Sequence, residues 1–101
     1  MEFINISLKE GLSLAKEEGY ALIDVREPYR FVKEHLKGAQ NCPYGVMEEA
    51  DKLDCAGKKL IVYCDFGGQS MMAARHLVKE GYEVYNIVGG VYYYLQEWKE
   101  S

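Results

Sequence analysis

The sequence is poor in the residues on which disulfide-stabilised and metal-stabilised proteins depend. Its 101 residues include three cysteines and two histidines, and these are scattered along the chain. An odd number of widely spaced cysteines does not form a disulfide framework. The sequence also has no Cys-x-x-Cys pair of the thioredoxin type and no metal-ligand motif. We therefore expect reduced thiols, no bound metal and a cytoplasmic protein.

Long apolar runs and an excess of positive charge are also missing. The net charge of −4 makes nucleic acid and anionic lipid poor electrostatic partners. No apolar stretch approaches the roughly 20 residues that span a bilayer, and the N-terminal residues show no signal-like apolar segment. We expect neither a nucleic-acid partner nor a membrane association. With 49% apolar and 28% charged residues, the composition is that of a globular protein, and the length fits a single domain over residues 1–101.

Short apolar runs alternate along the chain with segments of helical periodicity. Strands are predicted at 3–6, 20–25, 60–63 and 82–87. Helices are predicted from a capping box at Ser7 to Gly19, from Pro28 to Gly38, over 46–53, over 70–80, and after Gly89 and Gly90. The second of these helices should pair Val32 with Leu36. This alternation is typical of an α/β domain whose central, mostly parallel sheet is flanked by helices on both faces.

Cys64 follows the clearest strand and precedes two glycines, in the stretch LIVYCDFGGQS that runs from Leu60 to Ser70. Ligands of open parallel sheets bind beyond the carboxyl ends of the strands. The glycines let the backbone curl, so that its amides and the next helix N-terminus can form an anion-binding nest. Such a nest stabilises a thiolate, and we interpret Cys64 as a nucleophile or sulfur carrier. Cys42 and Cys55 are assigned the buried, inert state that is usual for a reduced cysteine.

The chain resembles the rhodanese (sulfurtransferase) family over nearly its whole length. Three stretches carry the resemblance, in the family's order: LIDVREPYRFVKEHLKGAQNCP, VYCDFGGQSMMAARHL and GYEVYNIVGGVYYYLQEW. The resemblance implies a rhodanese-like fold and a sulfurtransferase that carries sulfane sulfur as a persulfide on Cys64. The donor would be thiosulfate or a persulfide, including one on a partner protein, and the acceptor a thiophile such as cyanide or a thiol. The family's chemistry requires no organic cofactor.

The resemblance also implies roles for the residues around Cys64. Asp24 and Arg26 fall in the first of these stretches, and we interpret them as a buried or edge ion pair that ties the second strand to the loop region, rather than as residues that take part in the chemistry. The backbone amides that would stabilise the anionic persulfide belong to Asp65, Phe66, Gly67, Gly68, Gln69 and Ser70.

Two loop residues depart from the family's pattern. Gln69 stands where many active relatives have an arginine, and Asp65 places a carboxylate where a basic or neutral residue is common. An added carboxylate near a bound dianion costs roughly 1 kcal/mol or more at partly screened separations. We therefore expect thiosulfate to be a weak donor, and a neutral persulfide or a persulfidated protein to be preferred.

Two other functions are compatible with the same fold. A phosphatase would need Cys-x-x-x-x-x-Arg to clamp its phosphate, but Ser70 occupies the arginine position and the loop is one residue short. A non-catalytic binding or regulatory module is left open by Asp65 and Gln69, although such modules usually lose the cysteine. The retained Cys64 and the glycines that follow it favour the sulfurtransferase.

Overall fold

Parallel strands alternate with helices in the computed structural model, which describes residues 2–46, 53 and 55–100, with side chains as far as Gln96. The strands are β1 (Ile4–Ile6), β2 (Tyr20–Asp24), β3 (Gln40–Asn41), β4 (Lys59–Tyr63) and β5 (Val84–Ile87). The helices are α1 (Leu8–Leu14), α2 (Pro28–Lys33), α3 (Gly68–Lys79) and α4 (Tyr92–Glu100). All strand pairings are parallel, in the order β1-β5-β4-β2-β3. The predicted α/β architecture is confirmed, and β4 lies at its centre.

The central strand is buried on both faces of the sheet, which explains its uninterrupted apolar sequence. On one face, Val62 packs in a core cluster with Leu77 of α3. On the other face, Ile61 packs in a second cluster with Leu95 of α4, and Leu12 of α1 lies against that cluster. None of the described helices is long and apolar enough to cross a membrane.

The cysteines predicted to be inert are both in the core. Cys42 and Cys55 are buried in the cluster that packs against α3. Neither forms a disulfide, and neither does Cys64. Their burial among apolar side chains agrees with a packing role.

Helix α2 is shorter than the sequence predicts. It begins at Pro28, as expected, but ends at Lys33 because Glu34 has extended backbone angles, well before Gly38. The predicted pairing of Val32 with Leu36 is therefore wrong: Val32 is 80% exposed, whereas Leu36 is buried. The early end of α2 matters for the site, since the Glu34 carbonyl there accepts a hydrogen bond from Arg26.

Other boundaries differ by a few residues. Helix α1 ends at Leu14 rather than near Gly19, and β5 begins at Val84 rather than at 82. The sequence does not predict β3, a two-residue strand that pairs with the end of β2. Most of the helix predicted over 46–53 lies outside the described residues. Helix α3 begins at Gly68, two residues early, because Gly67 adopts the left-handed conformation (φ 103°) directly before it.

The loop before α4 packs tightly on the loop after β4. The amide of Val91 donates to the carbonyl of Cys64, and the amide of Tyr92 donates to the carbonyl of Asp65, each at 3.0 Å. Gly90 has a φ of +72°, and a Cβ at this position would overlap the backbone of Asp65. The close approach of the two loops therefore requires glycine here.

The capping box at the start of α1 can be tested by substitution of Ser7. Ser7 Oγ accepts a hydrogen bond from the Glu10 amide at 3.0 Å, and the Glu10 carboxylate accepts one from the Ser7 amide at 3.1 Å. Ser7→Ala should lower the free energy of unfolding by about 1 kcal/mol, measured by urea denaturation. The exposed Ser13 of the same helix supplies the control, because Ser13→Ala should be neutral or slightly stabilising. Equal effects of the two substitutions would contradict the cap.

Gly90 and Gly89 form a matched pair for testing the contact between the loops. Both have a positive φ, but a Cβ on Gly89 meets nothing within 4 Å. Gly89→Ala should cost about 1–2 kcal/mol of unfolding free energy from backbone strain alone. Gly90→Ala should cost at least about 1–3 kcal/mol more, because it also forces the Asp65 backbone to move. Similar urea midpoints for the two variants would show that the loops are not in close contact.

Candidate active site

Cys64 lies directly beyond the carboxyl end of β4, and two backbone amides point at its sulfur. The amide of Gly67 lies 3.0 Å from Cys64 Sγ, and the amide of Ser70 lies 3.3 Å from it. Ser70 is in the first turn of α3, where backbone amides have no helical carbonyl partner and the helix dipole favours negative charge. Two of the six predicted loop amides therefore converge on the sulfur, in a geometry suited to an anionic species.

The curl of the loop depends on Gly67 and Ser70. A Cβ on Gly67 would lie 3.1 Å from the backbone nitrogen of Gly89, in addition to requiring a positive φ. The Ser70 hydroxyl donates to the carbonyl of Gly67 at 3.2 Å, which closes the turn from within. Ser70 is completely buried, so this hydroxyl holds the loop in place.

The predicted ion pair between Asp24 and Arg26 is present and buried. Arg26 Nη2 lies 2.8 Å from Asp24 Oδ2, and Arg26 Nε lies 3.1 Å from both carboxylate oxygens. Arg26 Nη2 also donates to the carbonyl of Glu34 at 2.6 Å. Burial by itself lowers the pKa of Arg26, but the hydrogen bonds and charge of Asp24 outweigh it and leave that pKa above its ordinary value.

The carboxylate of Asp65 is paired with two arginines. Its Oδ2 lies 2.8 Å from Nη2 of Arg30, and its Oδ1 lies 3.3 Å from Nη1 of Arg26. Two guanidinium groups thus neutralise the carboxylate, so a bare Asp65 charge does not face a bound donor. That thiosulfate is a weak donor stays a prediction. Sequence reasoning missed Arg30, because nothing near it in the chain signals a partner in the Cys64 loop.

Phe66 forms an exposed aromatic edge beside the loop. Its side chain is 62% exposed, and its ring centroid lies 4.9 Å from that of Tyr92 and 6.3 Å from that of Tyr93. The guanidinium of Arg30 lies over the Tyr92 ring, 5.5 Å from its centroid. Phe66 and Tyr92 therefore lie next to the Asp65–Arg30 ion pair.

The remaining predicted loop residues lie at the start of α3. Gly68 and Gln69 are exposed there. The side chain of Gln69 is a neutral amide, at the position where many active relatives have an arginine. The predicted residues thus meet at one edge of the sheet, with Arg30 added to them. Among the described residues, no group of His, Cys, Asp and Glu side chains is placed to hold a metal ion.

The chain is similar over most of its length to named sulfurtransferases. Thiosulfate sulfurtransferase GlpE of Coxiella burnetii is 31% identical over 100 residues, covering 98% of this chain and 90% of that protein. GlpE of Pseudomonas putida is 34% identical over 91 residues, covering 88% of this chain and 82% of that protein. A rhodanese-related protein from Thermoplasma volcanium superposes with a TM-score of 0.74 at 26% identity, covering 96% of this chain and 93% of the other. The family model of the rhodanese-like domain matches residues 7–98, and the chain belongs to that family.

Proposed function

We propose that the protein is a sulfurtransferase that carries sulfane sulfur as a persulfide on Cys64. The observation that carries the proposal is the convergence of the Gly67 and Ser70 amides on Cys64 Sγ. The names of the relatives, thiosulfate sulfurtransferases, support it further. A reducing compartment such as the cytoplasm suits this chemistry, because an oxidising one favours disulfide formation by the free thiol.

The first half of the cycle loads the sulfur. The Cys64 thiolate attacks the sulfane sulfur of a donor, for which thiosulfate serves as the example. A new S–S bond forms on Cys64 while the S–S bond of thiosulfate breaks, and sulfite leaves with the electron pair. The preorganised amides of Gly67 and Ser70 point at Sγ and are placed to stabilise the thiolate form of Cys64. The persulfide keeps one negative charge on its outer sulfur, beside the same loop.

The second half unloads the sulfur to a thiophilic acceptor. Cyanide or a thiolate attacks the outer sulfur of the persulfide, and the Cys64 sulfur leaves as a thiolate with the electron pair. The products are thiocyanate or a new persulfide, and the enzyme returns to its starting state. The donor is either a small sulfane compound or a persulfide on a partner protein, and neither half requires a metal or an organic cofactor.

The geometry favours sulfur transfer over phosphate ester hydrolysis. In a phosphatase of the Cys-x-x-x-x-x-Arg type, an arginine clamps the phosphate oxygens with two parallel hydrogen bonds. The residue at that position is Ser70, whose hydroxyl is turned inward to the Gly67 carbonyl. The loop therefore offers amides sized for a sulfur, without the cation that a phosphate dianion needs.

Intact mass spectrometry after incubation with thiosulfate or a small organic persulfide tests the proposal. The protein should gain one sulfur atom, and cyanide should remove it with release of thiocyanate. Cys64→Ser should gain none, whereas Cys42→Ala and Cys55→Ala should still be loaded, because both of these cysteines lie in the core. A sulfur retained by Cys64→Ser, or no gain with any donor, would refute the carrier role and favour a non-catalytic binding module.

A further inference from the structure

Asp65 is the only charged residue in the loop from Cys64 to Ser70, and its carboxylate is committed to two arginines. Arg26 already has a buried partner in Asp24, which binds it through both carboxylate oxygens. Arg30 has Asp65 as its partner, at 2.8 Å. Asp65 is therefore the residue that neutralises Arg30 next to the candidate nucleophile.

Arg30 is a partly exposed cation whose partner is Asp65. Its Nε is buried and has no hydrogen-bond partner among the described residues, and 28% of its side chain is exposed. The hydrogen bond to Asp65 raises the pKa of Arg30, against a smaller lowering by burial, so the group carries a full positive charge. Without Asp65, that charge would face the loop mouth beside Phe66 and Tyr92.

We propose that Asp65 is a specificity-determining residue, which masks Arg30 and makes the Cys64 site discriminate against dianionic sulfur donors. The charges of Asp24, Arg26, Arg30 and Asp65 sum to zero, and Gln69 adds none. Two amides serve the charge on the Cys64 sulfur. The two guanidinium groups described next to the loop, those of Arg26 and Arg30, are already paired with carboxylates, so neither is free for the second charge of a donor such as thiosulfate. This inference rests on the proposed function and names the donor class: sulfane compounds with at most one negative charge.

Two sulfur donors of similar size but different charge can distinguish the effect of donor charge from that of donor shape. Thiosulfate is a dianion, and methanethiosulfonate replaces one of its anionic oxygens by a methyl group. With the latter, the Cys64 thiolate takes the terminal sulfur, the S–S bond breaks, and methanesulfinate leaves with the electron pair. The quantity measured is the ratio of kcat/KM for thiosulfate to kcat/KM for methanethiosulfonate.

Asp65→Asn keeps a hydrogen-bond acceptor for Arg30 and removes the charge. The kcat/KM ratio should rise about fivefold, as expected for one extra unit charge acting on the dianion across a partly screened separation, and the rise should shrink at high salt. Glu83→Gln is the control, because it changes the net charge equally at an exposed site that pairs with Lys59, and it should leave the ratio unchanged. An unchanged ratio in Asp65→Asn, or an equal rise in Glu83→Gln, would overturn the inference.

Charge compensation gives a second, independent variant. Arg30→Gln leaves Asp65 with Arg26 alone and should lower the kcat/KM ratio. The double variant Asp65→Asn with Arg30→Gln restores local neutrality and should return the ratio to near the wild-type value. If the double variant keeps the full rise of Asp65→Asn, Arg30 is not the masked cation and the inference is wrong.

Alkylation of Cys64 tests the masking without sulfur transfer. Iodoacetate and iodoacetamide are of similar size and differ by one negative charge, and peptide mass mapping reports the rate of modification at Cys64. Asp65→Asn should raise the iodoacetate-to-iodoacetamide rate ratio about fivefold. If the protein never gains sulfur but this ratio rises, the proposed function fails while the masking by Asp65 holds. If sulfur is transferred but the ratio stays constant, the masking fails alone.

Discussion

The buried ion pair between Asp24 and Arg26 is the interaction on which the candidate site depends. Asp24 ends β2 with no solvent exposure, and breaking a buried pair of this kind typically costs about 3–5 kcal/mol. Arg26 satisfies the carboxylate and, with the same guanidinium, reaches the Glu34 carbonyl and the Asp65 carboxylate. One side chain thus joins β2, the end of α2 and the loop that begins at Cys64. The loop is positioned by the core of the protein, not only by its own glycines.

This positioning explains why a cysteine stands where an apolar strand gives way to glycine. Cys64 lies directly beyond the carboxyl end of strand β4. Gly67 then turns the chain so that its own amide and that of Ser70 point at the sulfur. Amides aimed in advance at a developing anion stabilise it without reorganisation. The charged side chains around the site have no net charge, because the two carboxylates balance the two guanidinium groups. This balance of charges is the reason that we propose a preference for sulfur donors with a single charge over multiply charged oxyanions.

Local signals made much of this arrangement predictable. The apolar run of β4, the capping box at Ser7 and the ion pair of Asp24 with Arg26 each involve residues close together in the chain. The unpredicted features depend on residues far apart. Asp65 meets Arg30 only after the sheet has formed, and Gly90 is required only because the Asp65 backbone passes over it. The early end of α2 likewise has no signal in the sequence. Val32 and Leu36 have the spacing of neighbours on a helix, but the helix ends at Lys33, before Leu36.

We propose that the amides of Gly67 and Ser70 hold the sulfur of Cys64 throughout the cycle. The most direct measurement is a ¹⁵N–¹H correlation spectrum recorded before and after loading with one sulfur, with the loading verified by mass. The amide proton resonances of Gly67 and Ser70 should shift, because loading moves the negative charge from Cys64 Sγ to the outer sulfur, and cyanide should return them to their starting positions as the sulfur is removed. If Cys64 carries the sulfur while these two resonances stay in place, the two amides do not hold it.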